Sequence, residues 1–274
     1  MPTQSEKGSQ FRALHVRGAA FVIPNPWDPG SAKVLGAHGF VALATTSAGF
    51  AFSIGRGDGD VTRDEMLQHC GAICAATDLP VSADLENCYA DSPEGVAETV
   101  RRAAATGLVG CSIEDYMVAP APAIYDFELA VARVKAGAEA ARSLGFPFTI
   151  TARAENVLRG KYDLAEAVRR LQAYEAVGAD VLYAPGLQTM AQVREVVDAV
   201  SRPVNVLATK DLVVGELREA GVARVSLGGA LYRTAMTGFF EAVREIRDQG
   251  TFKAVGKAPG SGNIAKMVKG GKAE

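Results

Sequence analysis

One pattern recurs eight times along this chain and constrains it more than any other feature: a short apolar run, a polar turn, then an amphipathic helical stretch. The apolar runs are 19–23, 40–44, 81–84, 109–113, 148–151, 180–183, 204–207 and 224–227. The helical stretches that follow them are 31–38, 62–77, 92–106, 127–144, 163–177, 189–200, 212–220 and 230–248. Local signals mark several helix starts: Asp28 before Pro29, Thr62 with Glu65 as a capping box, and Ser92 before Pro93. Strict strand and helix alternation implies parallel strands joined by right-handed crossovers. Eight strands without edge-strand signals predict closure into a single-domain α/β fold, a TIM-type (β/α)8 barrel, over residues 18–249. Residues 1–17 form an N-terminal segment with a short helix over 11–15. Residues 250–274 form a Lys/Gly-rich tail, expected to be solvated or laid on a neighbouring subunit. An open doubly wound sheet is the alternative, but no Gly-x-Gly-x-x-Gly follows the first strand.

The net charge of −2 and pI near 6.0 argue against nucleic acid as a partner and favour a small ligand. No apolar run reaches the roughly 20 residues that cross a bilayer, and residues 1–10 lack an apolar signal core, so neither membrane nor secretion is expected. Cys70, Cys74, Cys88 and Cys111 contain no Cys-x-x-Cys pair, which points to reduced thiols and a cytoplasmic protein without disulfide or zinc.

The ends of the strands carry the polar residues. Asp84 and Glu86, spaced i, i+2 after an apolar strand, point to the same side. Alone, that pair reads first as a solvated acidic turn. A second acidic strand end at Glu114 and Asp115, one helix later, places carboxylates on neighbouring strands and suggests a hard divalent cation between them. The predicted mouth also collects Asn25, Trp27, Thr46, Ser47, Arg153, Thr209 and Lys210, where barrel enzymes keep their sites.

The ordered motifs Asn-x-Trp-Asp-x-Gly-Ser-Ala, Thr-Ser-Ala-Gly, Ala-Asp-x-Glu-x-x-Tyr, Ile-Glu-Asp and Ala-Arg-x-Glu resemble those of the isocitrate lyase and phosphoenolpyruvate mutase superfamily, over residues 18–248. The resemblance implies Mg2+, with Mn2+ as the alternative ion, held among Asp84, Glu86 and Glu114, with Asp58 as an outer carboxylate. It implies substrate contacts from Trp27, Thr46, Ser47, Ala48 and Thr209, a substrate carboxylate on Arg153, and Tyr89 as a candidate acid or base. It also implies a homo-oligomer, a tetramer with an exchanged eighth helix. The expected activity is Mg2+-dependent cleavage of a carbon–carbon bond, by retro-aldol reaction or decarboxylation, in a small 2-oxo or 2-hydroxy di- or tricarboxylic acid.

Two departures bear on that expectation. Where the isocitrate lyase relatives resemble one another in a Lys-Lys-Cys-Gly-His segment, this chain has residues 115–125 with Pro120 and Pro122 and neither thiol nor lysine, so a different acid is needed. That segment is expected to act as a lid. Cys88 stands where the family has glycine, and packing is its expected role. Phosphonopyruvate or phosphoenolpyruvate carbon–phosphorus chemistry is one alternative. A barrel that binds or assembles without catalysis is the other.

Overall fold

The computed structural model describes residues 2–118, 122–160 and 163–273. Its strands β1 (Phe21–Ile23), β2 (Leu43–Ala44), β3 (Val81–Ala83) and β4 (Gly110–Glu114) are followed by a small hairpin, β5 (Tyr116–Met117) with β6 (Ala123–Ile124). Then come β7 (Thr149–Arg153), β8 (Val181–Tyr183), β9 (Val204–Leu207) and β10 (Arg224–Ser226). Apart from the hairpin they form one parallel sheet of eight strands in the order β1-β10-β9-β8-β7-β4-β3-β2. The Ala44 amide donates to the Pro24 carbonyl at 3.1 Å across the remaining seam, so the sheet is nearly closed and the expected (β/α)8 barrel is present.

Among the described residues, eight α-helices lie between α1 (Gln4–Leu14) and α10 (Ala230–Gln249): α2 (Pro29–Ala37), α3 (Ser47–Ser53), α4 (Arg63–Ala76), α5 (Pro93–Ala104), α6 (Phe127–Arg142), α7 (Leu164–Ala176), α8 (Met190–Ala199) and α9 (Val214–Glu219). The last, α11 (Ser261–Val268), comes from the tail. The predicted caps form: Asp28 with Ser31, Thr62 with Glu65, and Ser92 onto the Gly95 amide.

Three stretches differ from expectation. Residues 45–49 are not a turn: α3 begins at Ser47, because the Thr46 hydroxyl accepts from the Gly49 amide and caps a helix. Helix α1 starts seven residues before the predicted one (Gln4 against residue 11), since Thr3 and Glu6 build a capping box that a polar segment conceals from apolar periodicity. The tail is neither free nor formless: α11 packs along α2, and the Ala273 amide donates to the Ala37 carbonyl at 3.1 Å. Pro120 of the expected lid lies outside the described residues. The limbs flanking it pair as β5 and β6, through Tyr116 with Ile124 and Met117 with Ala123.

Helix α1 closes the bottom of the barrel. Phe11 is fully buried and His15 follows at the helix end, its Nδ1 paired with the Phe11 carbonyl at 2.8 Å and its Nε2 with Arg224 Nη1 at 3.2 Å. Arg224 is buried among neutral acceptors, Asn205 Oδ1 at 2.8 Å and Thr151 Oγ1 at 3.0 Å. Burial and the neighbouring guanidinium press the His15 midpoint down to about 3. Between that value and the ordinary histidine value of roughly 6.5 the unfolded chain binds the extra proton, so this stabilisation is complete above about pH 6.5 and is lost as pH falls. We expect urea midpoints measured from pH 7.5 to 4 to fall less steeply for His15→Gln than for the native chain, with a difference on the order of a few kcal/mol. Parallel pH profiles would place the acid sensitivity elsewhere.

Candidate active site

The C-terminal ends of β2, β3, β4 and β7 converge on a cluster of acids and one arginine. Asp84 follows β3 and is held from two sides: its amide donates to Thr45 Oγ1 at 3.0 Å, and its Oδ2 accepts from the Ser47 hydroxyl at 3.0 Å. The same Ser47 hydroxyl reaches Asp58 Oδ1 at 3.3 Å, which ties the acidic loop after α3 to the β3 end. Arg153, the last residue of β7, places Nη1 2.6 Å from Glu114 Oε1 and 3.0 Å from Asp84 Oδ1, while its Nε lies 2.8 Å from Glu155 Oε1. Arg159 adds a second cation, 3.3 Å from Glu155 and 3.8 Å from Glu114.

Burial with like charges sets the electrostatics. Burial first, then Asp84 and Asp58, raises Glu86 to about 7. Burial and then Asp84 raise Asp58. Glu114 is pushed up mainly by burial, against the pull of Arg153. Burial works against the charge on Arg153, yet Glu114, Glu155 and Asp84 together hold it well above the ordinary arginine value. The Tyr89 hydroxyl donates to Glu86 Oε1 at 3.2 Å, and burial raises the phenol so that it keeps its proton.

The segment after β3 is unusual in its backbone. Glu86, Cys88 and Tyr89 have φ of 50°, 59° and 54°, in the left-handed region where non-glycine residues are strained by about 1 kcal/mol or more each. Cys88 is fully buried and packed, as expected, with its thiol 3.8 Å from the Ser112 carbonyl.

Trp27 meets Tyr232 edge to face at 5.5 Å beside the mouth. Thr46 is the buried cap of α3, Ser47 its first residue and Ala48 its second; of the three, Ser47 is the one bonded to Asp84, through both its amide and its hydroxyl. Thr209, in the turn after β9, has a buried hydroxyl without a partner and makes no hydrogen bond to the acids among the described residues. A cleft of about 660 Å³ opens beside Glu86, Tyr89 and Asp91, and a cavity of about 50 Å³ runs from Asp84 and Arg153 down to Asn205 and Arg224. Glu155 and Arg159 are site residues that the sequence did not mark as such; the Ala-Arg-x-Glu motif ending in Glu155, with an arginine four residues beyond it, was the available signal.

The acids suit a hard divalent cation, because Glu86 and Asp58, both raised by the neighbouring Asp84 charge, would gain from a positive centre. Among the described residues no three His, Cys, Asp or Glu side chains stand close enough to hold an ion unaided. Such an ion would therefore take part of its shell from water or ligand oxygens, as Mg2+ commonly does.

Eight parallel strands with acids and an arginine gathered at their C-terminal ends define a (β/α)8 barrel with a candidate active site at the mouth. The chain belongs to the phosphoenolpyruvate phosphomutase family, whose model matches residues 11–247, and with it to the isocitrate lyase and phosphoenolpyruvate mutase superfamily. It is 48% identical to a crystal structure from Burkholderia cenocepacia J2315, described provisionally as a lyase/mutase, with a TM-score of 0.94 and 98% of each chain covered. An uncharacterized protein of Mycobacterium tuberculosis (strain ATCC 25618 / H37Rv) is 32% identical over 240 residues, 87% of this chain and 89% of that one. An oxaloacetate decarboxylase of Marinomonas sp. (strain MWYL1) is 27% identical over 277 residues, 92% of this chain and 90% of that one.

If Asp58 raises Glu86 by like charge, removing that charge must lower it. Carbon-13 NMR of labelled glutamate in Asp58→Asn should show the Glu86 titration moving below its native midpoint of about 7. An unmoved midpoint would mean that the two carboxylates do not share a field.

Proposed function

We propose that this protein is a Mg2+-dependent lyase that breaks a carbon–carbon bond in a small 2-oxo or 2-hydroxy di- or tricarboxylic acid, by retro-aldol cleavage or decarboxylation. The observation that carries the reading is Arg153 set between Asp84, Glu114 and Glu155 at the barrel mouth. Similarity to an oxaloacetate decarboxylase supports the substrate class.

Asp84, with Glu86, Glu114 and Asp58 around it, would hold Mg2+ or Mn2+. When bound, the ion supplies Lewis acidity that stabilises negative charge developing beside the broken bond. The remaining work falls to the chain. Arg153 receives a substrate carboxylate, which its planar fork suits, and its pairing with Glu155 through Nε fixes the direction in which the guanidinium points. Ser47 holds Asp84 and Asp58 at one hydroxyl and keeps the two acids in register. Tyr89 keeps a proton on its hydroxyl beside Glu86 and is the candidate acid for the product carbanion, in a chain whose residues 115–125 contain neither lysine nor cysteine. The limbs of that segment, β5 and β6, follow directly on Glu114 and would serve as its lid.

Homo-oligomerisation belongs to the same reading. Helix α10 has no buried residue and exposes Phe239, Phe240, Val243 and Ile246, a face that an exchanged eighth helix would cover in a tetramer. Sedimentation should show an oligomer that Phe239→Glu dissociates; a native monomer would remove this part.

The activity is tested by incubating the protein with Mg2+ and a panel of 2-oxo and 2-hydroxy polycarboxylates, assaying pyruvate, glyoxylate and CO2. Phosphonopyruvate serves as the contrasting substrate. We expect turnover on a polycarboxylate that chelation of Mg2+ abolishes, and that Asp84→Ala removes without loss of fold. Arg153→Lys should raise the Michaelis constant at a cost of about 1.5 to 3 kcal/mol in kcat/KM, the range for charged hydrogen bonds. Turnover confined to phosphonopyruvate, or unaltered in Asp84→Ala, would refute the assignment.

A further inference from the structure

We propose that Arg133, on helix α6 behind the barrel, is a positioning residue that sets the distance between Glu86 and Glu114. The inference rests on the reading of these acids as the metal end of the site.

Arg133 is fully buried, and among the described residues no carboxylate pairs with it. Its guanidinium is spent on backbone instead. Nη1 donates to the Glu114 carbonyl at 2.9 Å, and Nη2 donates to the Asn87 carbonyl at 2.5 Å and the Ala90 carbonyl at 3.0 Å. The face of the Tyr125 ring lies 4.0 Å from its centre and offers a buried cation its remaining stabilisation. One planar group thus bridges the end of β4 and the loop after β3, the two segments that carry the acids.

That loop is the strained one, with left-handed φ at Glu86, Cys88 and Tyr89, and it persists because its carbonyls are held one by one. The Leu85 carbonyl accepts from the Cys88 amide at 2.7 Å and the Glu86 carbonyl from the Glu114 amide at 2.9 Å. The Cys88 carbonyl accepts from the buried Thr99 hydroxyl of α5 at 2.8 Å. Arg133 supplies the bonds to Asn87 and Ala90. Helix α6 is brought close enough by Gly137, where a Cβ would lie 2.4 Å from the Ile113 side chain in β4. Lysine has a point charge in place of the fork and cannot span three carbonyls on two segments in one plane.

The test uses the full chain with Arg133→Lys and Arg133→Met, the first keeping charge where the second risks misfolding. Calorimetric titration with Mg2+ in the presence of oxalate should show the half-saturating Mg2+ concentration rising about 10-fold to 100-fold, as for other residues that orient ligands without touching the ion. The fraction of protein that binds should stay constant, whereas a variant that had merely lost stability would bind less at an unchanged midpoint. Hydrogen exchange should show faster exchange at residues 87–90 and Glu114, with the other barrel amides as protected as before. Folded variants with native Mg2+ midpoints and native exchange would overturn the proposal. Should the native protein take up no Mg2+, the proposed function fails, and exchange alone decides the role of Arg133: local loss upholds it, unchanged protection rejects it.

Discussion

Crowded negative charge at the barrel mouth is the constraint on which the rest of the site depends. Glu86 and Glu114 are buried with the half-buried Asp84 beside them and Asp58 at the outer edge, and after burial itself the charge of Asp84 raises the cost of ionising Glu86, Glu114 and Asp58. The structure answers with Arg153 between Asp84 and Glu114, and then has to hold Arg153 in place. Glu155 does so, itself buried and paired with Arg159. Behind them Asp115 accepts from the Glu155 amide at 2.8 Å, from Arg170 at 3.0 Å and from the Tyr174 hydroxyl at 2.6 Å. Removing one member would leave a buried charge unpaired, which is why such chains of ions are costly to break even where they add little net stability.

The barrel interior follows from the same logic. Instead of an apolar filling it carries Thr151, Asn205, Ser226 and Arg224 below the mouth, joined by hydrogen bonds of 2.8 to 3.0 Å. Arg224 has no acid partner among the described residues and contributes positive potential beneath a negative mouth. Burial costs it part of its basicity, lowering it to about 10, and α1 closes the bottom of the barrel against solvent.

Much of this was legible from the chain. Short, mostly apolar runs alternating with helical stretches give the barrel, because parallel strands buried on both faces read as near-continuous apolar runs and not as alternating ones. For the same reason polar residues at strand ends mark the mouth, and Asp84, Glu114 and Arg153 do meet there. What escaped reading lacks that signature. Helix α3 begins with Thr46, Ser47 and Gly49, residues that favour turns until one hydroxyl caps the helix. Helix α11 comes from a Lys/Gly-rich segment whose order depends on packing against α2. Arg133 and Thr99 act on backbone carbonyls far away in sequence, and no spacing rule exposes a contact whose other half carries no side-chain identity.

The two sides of the mouth are consequently built to different stiffness. On the β3 side, the left-handed loop is over-determined, with its carbonyls bonded to β4, α5 and α6. On the other side, β5 and β6 are strands of two residues each, and a two-stranded hairpin of that length has little stability of its own. Its anchor is Tyr125, whose amide donates to the Asp115 carbonyl at 2.9 Å and whose hydroxyl accepts from Asn87 at 2.8 Å and donates to Asp91. Asp115 is fixed in turn by Arg170 and Tyr174 and bonds the Glu155 amide, so the hairpin is rooted in the same network that holds Arg153 in place.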